Sequence, residues 1–190
     1  MFILFPILFV LVALVNNEFT HALDQAGRDA VVYWHNYYRA ELAAGRVKNN
    51  TGSFMPKPAL MKQMNYSLEC EQRAQSWADQ CTYTRAIEHV VSGWWAELIY
   101  RGALGPEPGS TCIPYTGAQN ARGIGHWTQL AWWNTNQVGC GIGRCPLYKT
   151  YVVCQYRPAG NVITKCVYNV GEPCSGCPNN CNQTSKLCLN

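Results

Sequence analysis

Apolar side chains repeat at helical spacing through most of the first half of the chain. Between Asp24 and Gly45 they recur at steps of three and four residues, which predicts a helix with one buried face. A similar stripe over 68–81 predicts a second helix, and 86–100 predicts a third. The segment 46–65 is rich in turn residues and is predicted to be a loop.

The second half changes to a strand-like pattern. After a loop rich in Gly and Pro at 102–117, the segments 137–143 and 150–156 are rich in β-branched and aromatic residues. They predict a β-hairpin with a turn at Pro146, and 162–168 predicts another strand. Helices followed by strands indicate an α+β layered domain.

The N-terminus predicts secretion. Residues 1–15 are almost wholly apolar and small residues follow at 20–22, so we interpret 1–22 as a signal peptide. The apolar run falls short of the ~20 residues that cross a bilayer, and no stable membrane anchor is expected. Of 15 basic and 11 acidic residues, the signal holds only Glu18, so the mature chain carries about +5. That charge is too mild to indicate nucleic-acid binding.

All eleven cysteines lie beyond the signal peptide, which indicates an oxidising compartment and disulfide bonds. The odd count leaves at least one cysteine without a partner in the chain. Three sequons are candidate glycosylation sites in the same compartment, at Asn49, Asn65 and Asn182.

The last twenty residues have a different composition, with four cysteines and few large apolar side chains. Such a segment needs crosslinks to hold its shape. Its cysteines, with Cys166 as a further candidate, are predicted to form bridges, and zinc coordination is the weaker alternative. The four cysteines are Cys174, Cys177, Cys181 and Cys188.

Four motifs carry a resemblance to a known family. The stretches GHWTQLAWWNT at 125–135 and YVVCQYRPAGNV at 151–162 resemble the two signatures of the CAP superfamily, which includes cysteine-rich secretory proteins, venom antigen 5 and plant pathogenesis-related proteins of group 1. HNYYR at 35–39 and VSGWWAE at 91–97 resemble two of its helical elements. The tail resembles the hinge of worm venom-allergen-like, activation-associated secreted proteins.

The resemblance implies a three-layer α-β-α sandwich with a central antiparallel sheet and a short cysteine-rich C-terminal hinge. It divides the chain into a signal peptide at 1–22, a CAP domain at 23–165 and a hinge at 166–190. By the family's spacing, Cys81 pairs with Cys145 and Cys140 pairs with Cys154. Cys70 and Cys112 are a further candidate pair.

The family's cleft usually presents two histidines and two glutamates that sometimes gather zinc. Glu97 and His126 match one of each, but the chain lacks the segment between Cys81 and the third helix that supplies the other two. His89 does not replace them, because it lies about 12 Å from Glu97 along an ideal helix. Losing that segment is expected to leave apolar surface and backbone groups uncovered.

Two roles remain for Glu97 and His126: they bind zinc, or they hydrogen-bond each other between a helix and a strand. No catalytic residue is assigned and no enzyme activity is expected, because no nucleophile elbow such as G-x-S-x-G occurs. The tryptophans near these residues are expected to pack mainly in the core, with an apolar lipid groove as the alternative.

The sequence therefore predicts a secreted, extracellular protein that acts by binding. Its expected partner is an extracellular host or self protein, and immune or haemostatic modulation is the expectation at the level of the family. The alternative from a different class is a carrier of a sterol or a fatty acid. A zinc-dependent hydrolase is the third hypothesis, and no cofactor other than zinc is expected.

Overall fold

The computed structural model describes residues 23–80, 87–103, 105–106, 108–143 and 151–190, with only the backbone at 87–89. These residues contain five helices and five strands. The helices are α1 (Gln25–Ala43), α2 (Leu68–Ala78), α3 (Ile87–Arg101), α4 (Gly117–Ala121) and α5 (Gly125–Leu130). The strands are β1 (Asn65–Tyr66), β2 (Cys112–Pro114), β3 (Gln137–Gly143), β4 (Tyr151–Arg157) and β5 (Cys166–Asn169).

The main sheet has the strand order β1-β3-β4. The β3–β4 pair is antiparallel, as the predicted hairpin requires, whereas the two-residue β1 runs parallel to β3. The strand predicted at 162–168 begins only at Cys166 and does not join this sheet. It pairs instead with β2 in a separate antiparallel ribbon, and β2 lies in the segment predicted to be a loop.

One face of the sheet is covered by α2, and glycines make this close approach possible. Side chains at Gly139, Gly141 and Gly143 would point at the backbone of α2, and a Cβ atom on Gly141 would lie 2.7 Å from the carbonyl carbon of Ala74. A helix can lie this close to a strand only where the strand presents no side chains.

The opposite face is covered by α1, and α3 and α5 pack beside α1. Asp24 caps α1, since its Oδ1 accepts a hydrogen bond from the Gly27 N–H at 2.8 Å. Val31, His35 and Arg39 follow at four-residue steps and are fully buried. With helices on both faces of the sheet, the predicted α+β, three-layer α-β-α class is confirmed.

His35 has a packing role in this layer. Its Nδ1–H donates to the Val31 carbonyl at 2.7 Å, so its Nε2 accepts from the Tyr156 hydroxyl at 2.9 Å. Burial lowers the pKa of His35 to about 4, which keeps the ring neutral at pH 7.

The disulfides join Cys140 to Cys154 across the hairpin and Cys112 to Cys166 across the β2–β5 ribbon. The candidate pair of Cys70 with Cys112 is therefore wrong. Cys70 is buried in α2 and is the free cysteine among the residues that the structure describes. This disulfide is diagonal to the strand register, since Cys112 lies opposite Asn169 and Cys166 lies opposite Pro114. The Cα atoms of the two cysteines are 5.4 Å apart, which is within the range of a disulfide.

The tail is held by disulfides between Cys174 and Cys181 and between Cys177 and Cys188. The bridges predicted for it are present, and they leave no thiolate in this segment to bind zinc. The tail also packs on the domain, since Leu187 is buried in the main core and the Cys188 N–H donates to the Met61 carbonyl at 2.8 Å.

The sequons occupy different local structures. The side-chain oxygens of Asn49 and Asn182 accept hydrogen bonds from the backbone N–H groups of Thr51 and Thr184, at 3.0 and 2.9 Å. Asn65 is exposed in β1. Glycosylation at the three sites stays a prediction.

Several predictions fall outside the described residues: the signal peptide at 1–22, the Cys81–Cys145 disulfide and the turn at Pro146. Within the described residues, no helix is long and apolar enough to cross a bilayer.

An ion pair between Arg28 and Glu71, with an added hydrogen bond from a tyrosine, links α1 to α2. Arg28 donates two hydrogen bonds of 2.8 Å to the Glu71 carboxylate, and the Tyr66 hydroxyl donates a third. Burial alone raises the pKa of Glu71, but the hydrogen bonds from Arg28 and Tyr66 outweigh it and lower the pKa below its ordinary value.

Because the lowered pKa belongs to the folded state, Glu71 stabilises the fold above the ordinary glutamate pKa and loses this contribution as the pH falls through its folded value. We expect Glu71→Gln to lower the melting temperature at pH 7. The difference from the unaltered protein should narrow steadily below about pH 4. Thermal unfolding followed by circular dichroism from pH 7 to pH 3 measures it, and a constant difference would contradict the role of the carboxylate.

Candidate functional site

A cleft of about 1150 Å³ opens beside the hairpin. One wall is α3, which contributes Val90, Gly93, Trp94, Glu97 and Arg101. The first residues of α5 form a second wall and β4 forms a third. The cleft therefore lies where the third helix, the GHWTQ motif and the last strand of the main sheet meet.

Glu97 sits at the base of the α5 wall and caps that helix. Its Oε2 accepts hydrogen bonds from the backbone N–H groups of His126 and Trp127, at 3.0 and 3.2 Å. Ile124, in the N-cap position of α5, offers no side-chain hydrogen bond. The carboxylate of Glu97 in α3 therefore satisfies N–H groups at the start of α5 that have no partner within that helix.

His126 shares the same carboxylate. Its Nδ1 lies 2.7 Å from Glu97 Oε1 and donates to it, and Nε2 has no hydrogen-bond partner among the described residues. The ring stacks on Trp94, with centroids 5.1 Å apart and planes 2° from parallel. The structure thus brings Glu97 and His126 together as the sequence proposed, but between two helices, because GHWTQ is helical and not a strand.

These residues do not by themselves make a zinc site. A catalytic zinc ion takes three protein ligands, and both Glu97 oxygens already accept hydrogen bonds. No group of three His, Cys, Asp or Glu side chains that could hold a metal occurs among the described residues. The side chains of Glu88 and His89 lie outside the described part of the structure.

The two signature motifs are bonded to each other at the edge of the cleft. Thr128 donates to the Asn161 side-chain oxygen at 2.6 Å, and Asn161 donates back to the Gly125 carbonyl at 2.8 Å. Gln129 accepts from the Gly160 N–H at 2.8 Å. GHWTQ is therefore held rigidly against the loop that follows β4.

The capping role of Glu97 predicts unequal effects on stability. We expect Glu97→Ala to lower the free energy of unfolding by about 1 to 2 kcal/mol, because three donors at the start of α5 lose their acceptor. His126→Ala should cost less than about 0.5 kcal/mol, since 58% of its side chain is exposed. Urea unfolding of both variants decides the matter, and equal costs would show that the histidine contact, not the cap, carries the stability.

Comparison with known proteins identifies the fold. Residues 32–156 match the model of the CAP family, described as the cysteine-rich secretory protein family. The chain belongs to the CAP family. It is 33% identical over 164 residues to human cysteine-rich secretory protein 2, and 32% identical over 190 residues to the Ancylostoma secreted protein of Ancylostoma caninum.

Solved structures of CAP proteins agree. The crystal structure of NaASP2 with Zn²⁺ superimposes with a TM-score of 0.79 at 32% identity, covering 88% of this chain and 97% of the other. The structure of BmVAL-1 gives a TM-score of 0.77 at 29% identity and covers 88% and 96%. The resemblance to worm venom-allergen-like proteins is confirmed.

The chain spans only part of its curated relatives. The alignments cover 71% of this chain and 62% of human cysteine-rich secretory protein 2, and 85% of this chain and 43% of the Ancylostoma secreted protein. By their names these relatives are secretory or secreted proteins.

Sequence reasoning missed part of this CAP cleft. Asn161 and Gln129 lie within the signature motifs, but no local pattern indicates their role, because their hydrogen bonds join segments 31 or more residues apart. Tyr115 and Arg101 carried no motif signal at all, yet both line the cleft. Trp94 is the half-buried tryptophan at the cleft, whereas Trp127 is fully buried in the core.

Proposed function

We propose that this CAP protein acts outside the cell by binding another protein through the cleft, and that immune or haemostatic modulation of a host follows from that binding. One observation carries the proposal. The cleft is open and presents the half-buried Trp94 stacked on the exposed His126, an arrangement suited to a contact surface.

The chemistry of the cleft favours binding over hydrolysis. Glu97 is engaged by three donors, so it is poorly placed to act as a general base. The described lining residues include no serine and no free thiol, which are the usual nucleophiles. A zinc-dependent hydrolase is the weakest candidate, and metal analysis after dialysis against excess zinc tests it, since an absence of bound zinc would discard it.

A matched pair of tryptophans tests the binding proposal. Trp94 lies in the cleft, whereas Trp77 is 56% exposed on α2 and does not line it. Disulfide-bonded protein, biotinylated and crosslinked in blood plasma, should give a saturable crosslinked product. Trp94→Ala should reduce the yield at least about ten-fold and Trp77→Ala should leave it unchanged. Equal yields from both variants, or no saturable product, would overturn the proposal.

The lipid carrier is the second candidate, and the size of the cleft supports it. Its volume of about 1150 Å³ exceeds the ~300 to 1,000 Å³ typical of small-molecule pockets, and Trp94 and Val90 give it apolar surface. Organic extraction of the purified protein followed by mass spectrometry tests it. Repeated absence of a bound sterol or fatty acid would reject the carrier hypothesis.

A further inference from the structure

The outer edge of β4 lies along the cleft. In the strand order β1-β3-β4, β4 has β3 on one side and no strand among the described residues on the other. An edge strand presents a row of backbone N–H and C=O groups that can pair with another chain.

The geometry of the hairpin shows which groups these are. The Cα atoms of Cys140 and Cys154 lie 4.0 Å apart, which is the short spacing of a pair that does not exchange backbone hydrogen bonds. Cys154 therefore directs its N–H and C=O away from β3. Since the pattern alternates, the N–H and C=O groups of Val152 and Tyr156 also point away from β3. The carbonyl of the neighbouring Arg157 points towards the β3 side, where it accepts a hydrogen bond from the Asn136 N–H at 3.1 Å.

These outward groups face the cleft. Residues 151–154 all line it, although alternate side chains of a strand point to opposite faces of the sheet. A cavity that touches four consecutive residues must run along the edge of the strand. Within the described residues, the outward backbone groups of Val152, Cys154 and Tyr156 make no hydrogen bond.

We propose that the edge of β4 binds an extended segment of a partner protein, which adds as a further strand to the main sheet. This inference rests on the proposed binding function and names the mode of recognition. A peptide backbone matches donors and acceptors that repeat every second residue, about 6.8 Å apart along the strand. A sterol or a fatty acid lacks such a repeat.

The charge of the cleft defines the partner further. Arg101 lines the cleft and has no carboxylate within ion-pair distance among the described residues. Its Nη1 donates a long hydrogen bond of 3.4 Å to the Arg122 carbonyl. Glu97, the carboxylate among the described lining residues, already accepts three hydrogen bonds from α5. A segment with an acidic side chain near Arg101 would therefore be favoured.

The apolar side chains define the rest of the segment. Val90, Trp94 and Val152 line the cleft, and a strand added to β4 would direct every second side chain towards this face of the sheet. The partner segment is therefore extended, alternately apolar, and acidic at one end.

Capped, fluorescein-labelled peptides test strand addition directly. The probe is Glu-Val-Thr-Val-Thr-Val, and binding to the intact disulfide-bonded protein is followed by fluorescence polarisation. Only one alternate set of peptide N–H groups can face β4. N-methylation of that set should weaken binding at least about ten-fold, while N-methylation of the other set should change it less than about two-fold. Equal effects of the two sets, or no saturable binding of the probe, would overturn the inference.

Substitutions in the protein add an independent readout. Val152→Pro removes an outward N–H and leaves the bonds to β3 in place, so it should reduce probe affinity, whereas Val152→Thr should not. Arg101→Gln should weaken the acidic probe and spare a probe that carries glutamine in place of its glutamate. If Val152→Pro unfolds the protein, the methylated peptides decide alone.

The two proposals fail differently. If the plasma product is lost in Trp94→Ala while the methylated peptides show no asymmetry, the cleft binds a protein without strand addition, and only this inference fails. If the peptides behave as expected while plasma yields no saturable product, the edge recognises strands but the proposed function fails.

Discussion

Gly141→Ala will destabilise this protein by about 3 kcal/mol or more, out of the ~5 to 15 kcal/mol that holds a domain of ordinary size together. The added methyl group would point into the backbone of α2 between Ala74 and Gln75, with the Ala74 carbonyl carbon only 2.7 Å away. A backbone cannot rotate aside as a side chain can, so the helix must move off the sheet. Urea unfolding of the purified variant measures the loss.

Gly93→Ala is the matched control and should act in the opposite direction. Gly93 lies inside α3 and is exposed, and no atom of the described residues would lie within 4 Å of an added Cβ. Alanine is the better helix former there, so we expect a gain of about 0.5 to 1 kcal/mol. A large loss at Gly93, or tolerance of alanine at Gly141, would show that the contact between α2 and the sheet is not the constraint described above.

The second large effect is expected at Arg39, where two replacements should change the free energy of unfolding by different amounts. We expect Arg39→Ala to lower the free energy of unfolding by about 3 kcal/mol, and Arg39→Met to leave it unchanged or raise it by up to about 3 kcal/mol. The side chain is fully buried, and its Nε and Nη1 have no hydrogen-bond partner among the described residues. Burial lowers its pKa to about 9, so it remains charged at pH 7 at a cost to stability.

Methionine removes that charge while keeping most of the volume. The carbonyl groups that Arg39 contacts, at Trp132 and Trp133, also accept from the N–H groups of Thr135 and Lys62, so neither loses its last partner. Alanine removes the volume as well and leaves a cavity. Calorimetric melting of both variants gives the comparison, and equal losses would show that the charge of Arg39 is itself required.

The helices and the hairpin could be predicted because their signals are local. The apolar stripe of α1 and the β-branched run of β4 lie within single windows of sequence, and their predicted ends differ from the observed ones by one or two residues. The separate β2–β5 ribbon could not be predicted, because β2 has three residues and its pairing depends on a distant strand, with Cys112 and Cys166 separated by 54 positions in the sequence. The pairing of Cys112 with Cys166 has the same cause.

Within the site, the sequence pointed to Glu97 and His126 but not to what they do. A glutamate and a histidine that are 29 residues apart in the chain are equally compatible with a metal site and with a hydrogen bond. The choice depends on the direction in which α5 begins. Its first N–H groups point at the carboxylate and occupy it, and this follows from the packing of α3 against α5.

The sequence by itself determined the family, the layered α+β class, the disulfide-held tail and the two residues at the centre of the cleft, because periodicity, cysteine spacing and signature motifs are properties of short stretches. Only the tertiary structure decided that Glu97 caps a helix and that, among the described residues, Cys70 is unpaired and β4 offers a free edge to the cleft. Each of these depends on which groups distant segments bring into hydrogen-bonding range, and no local pattern encodes that distance.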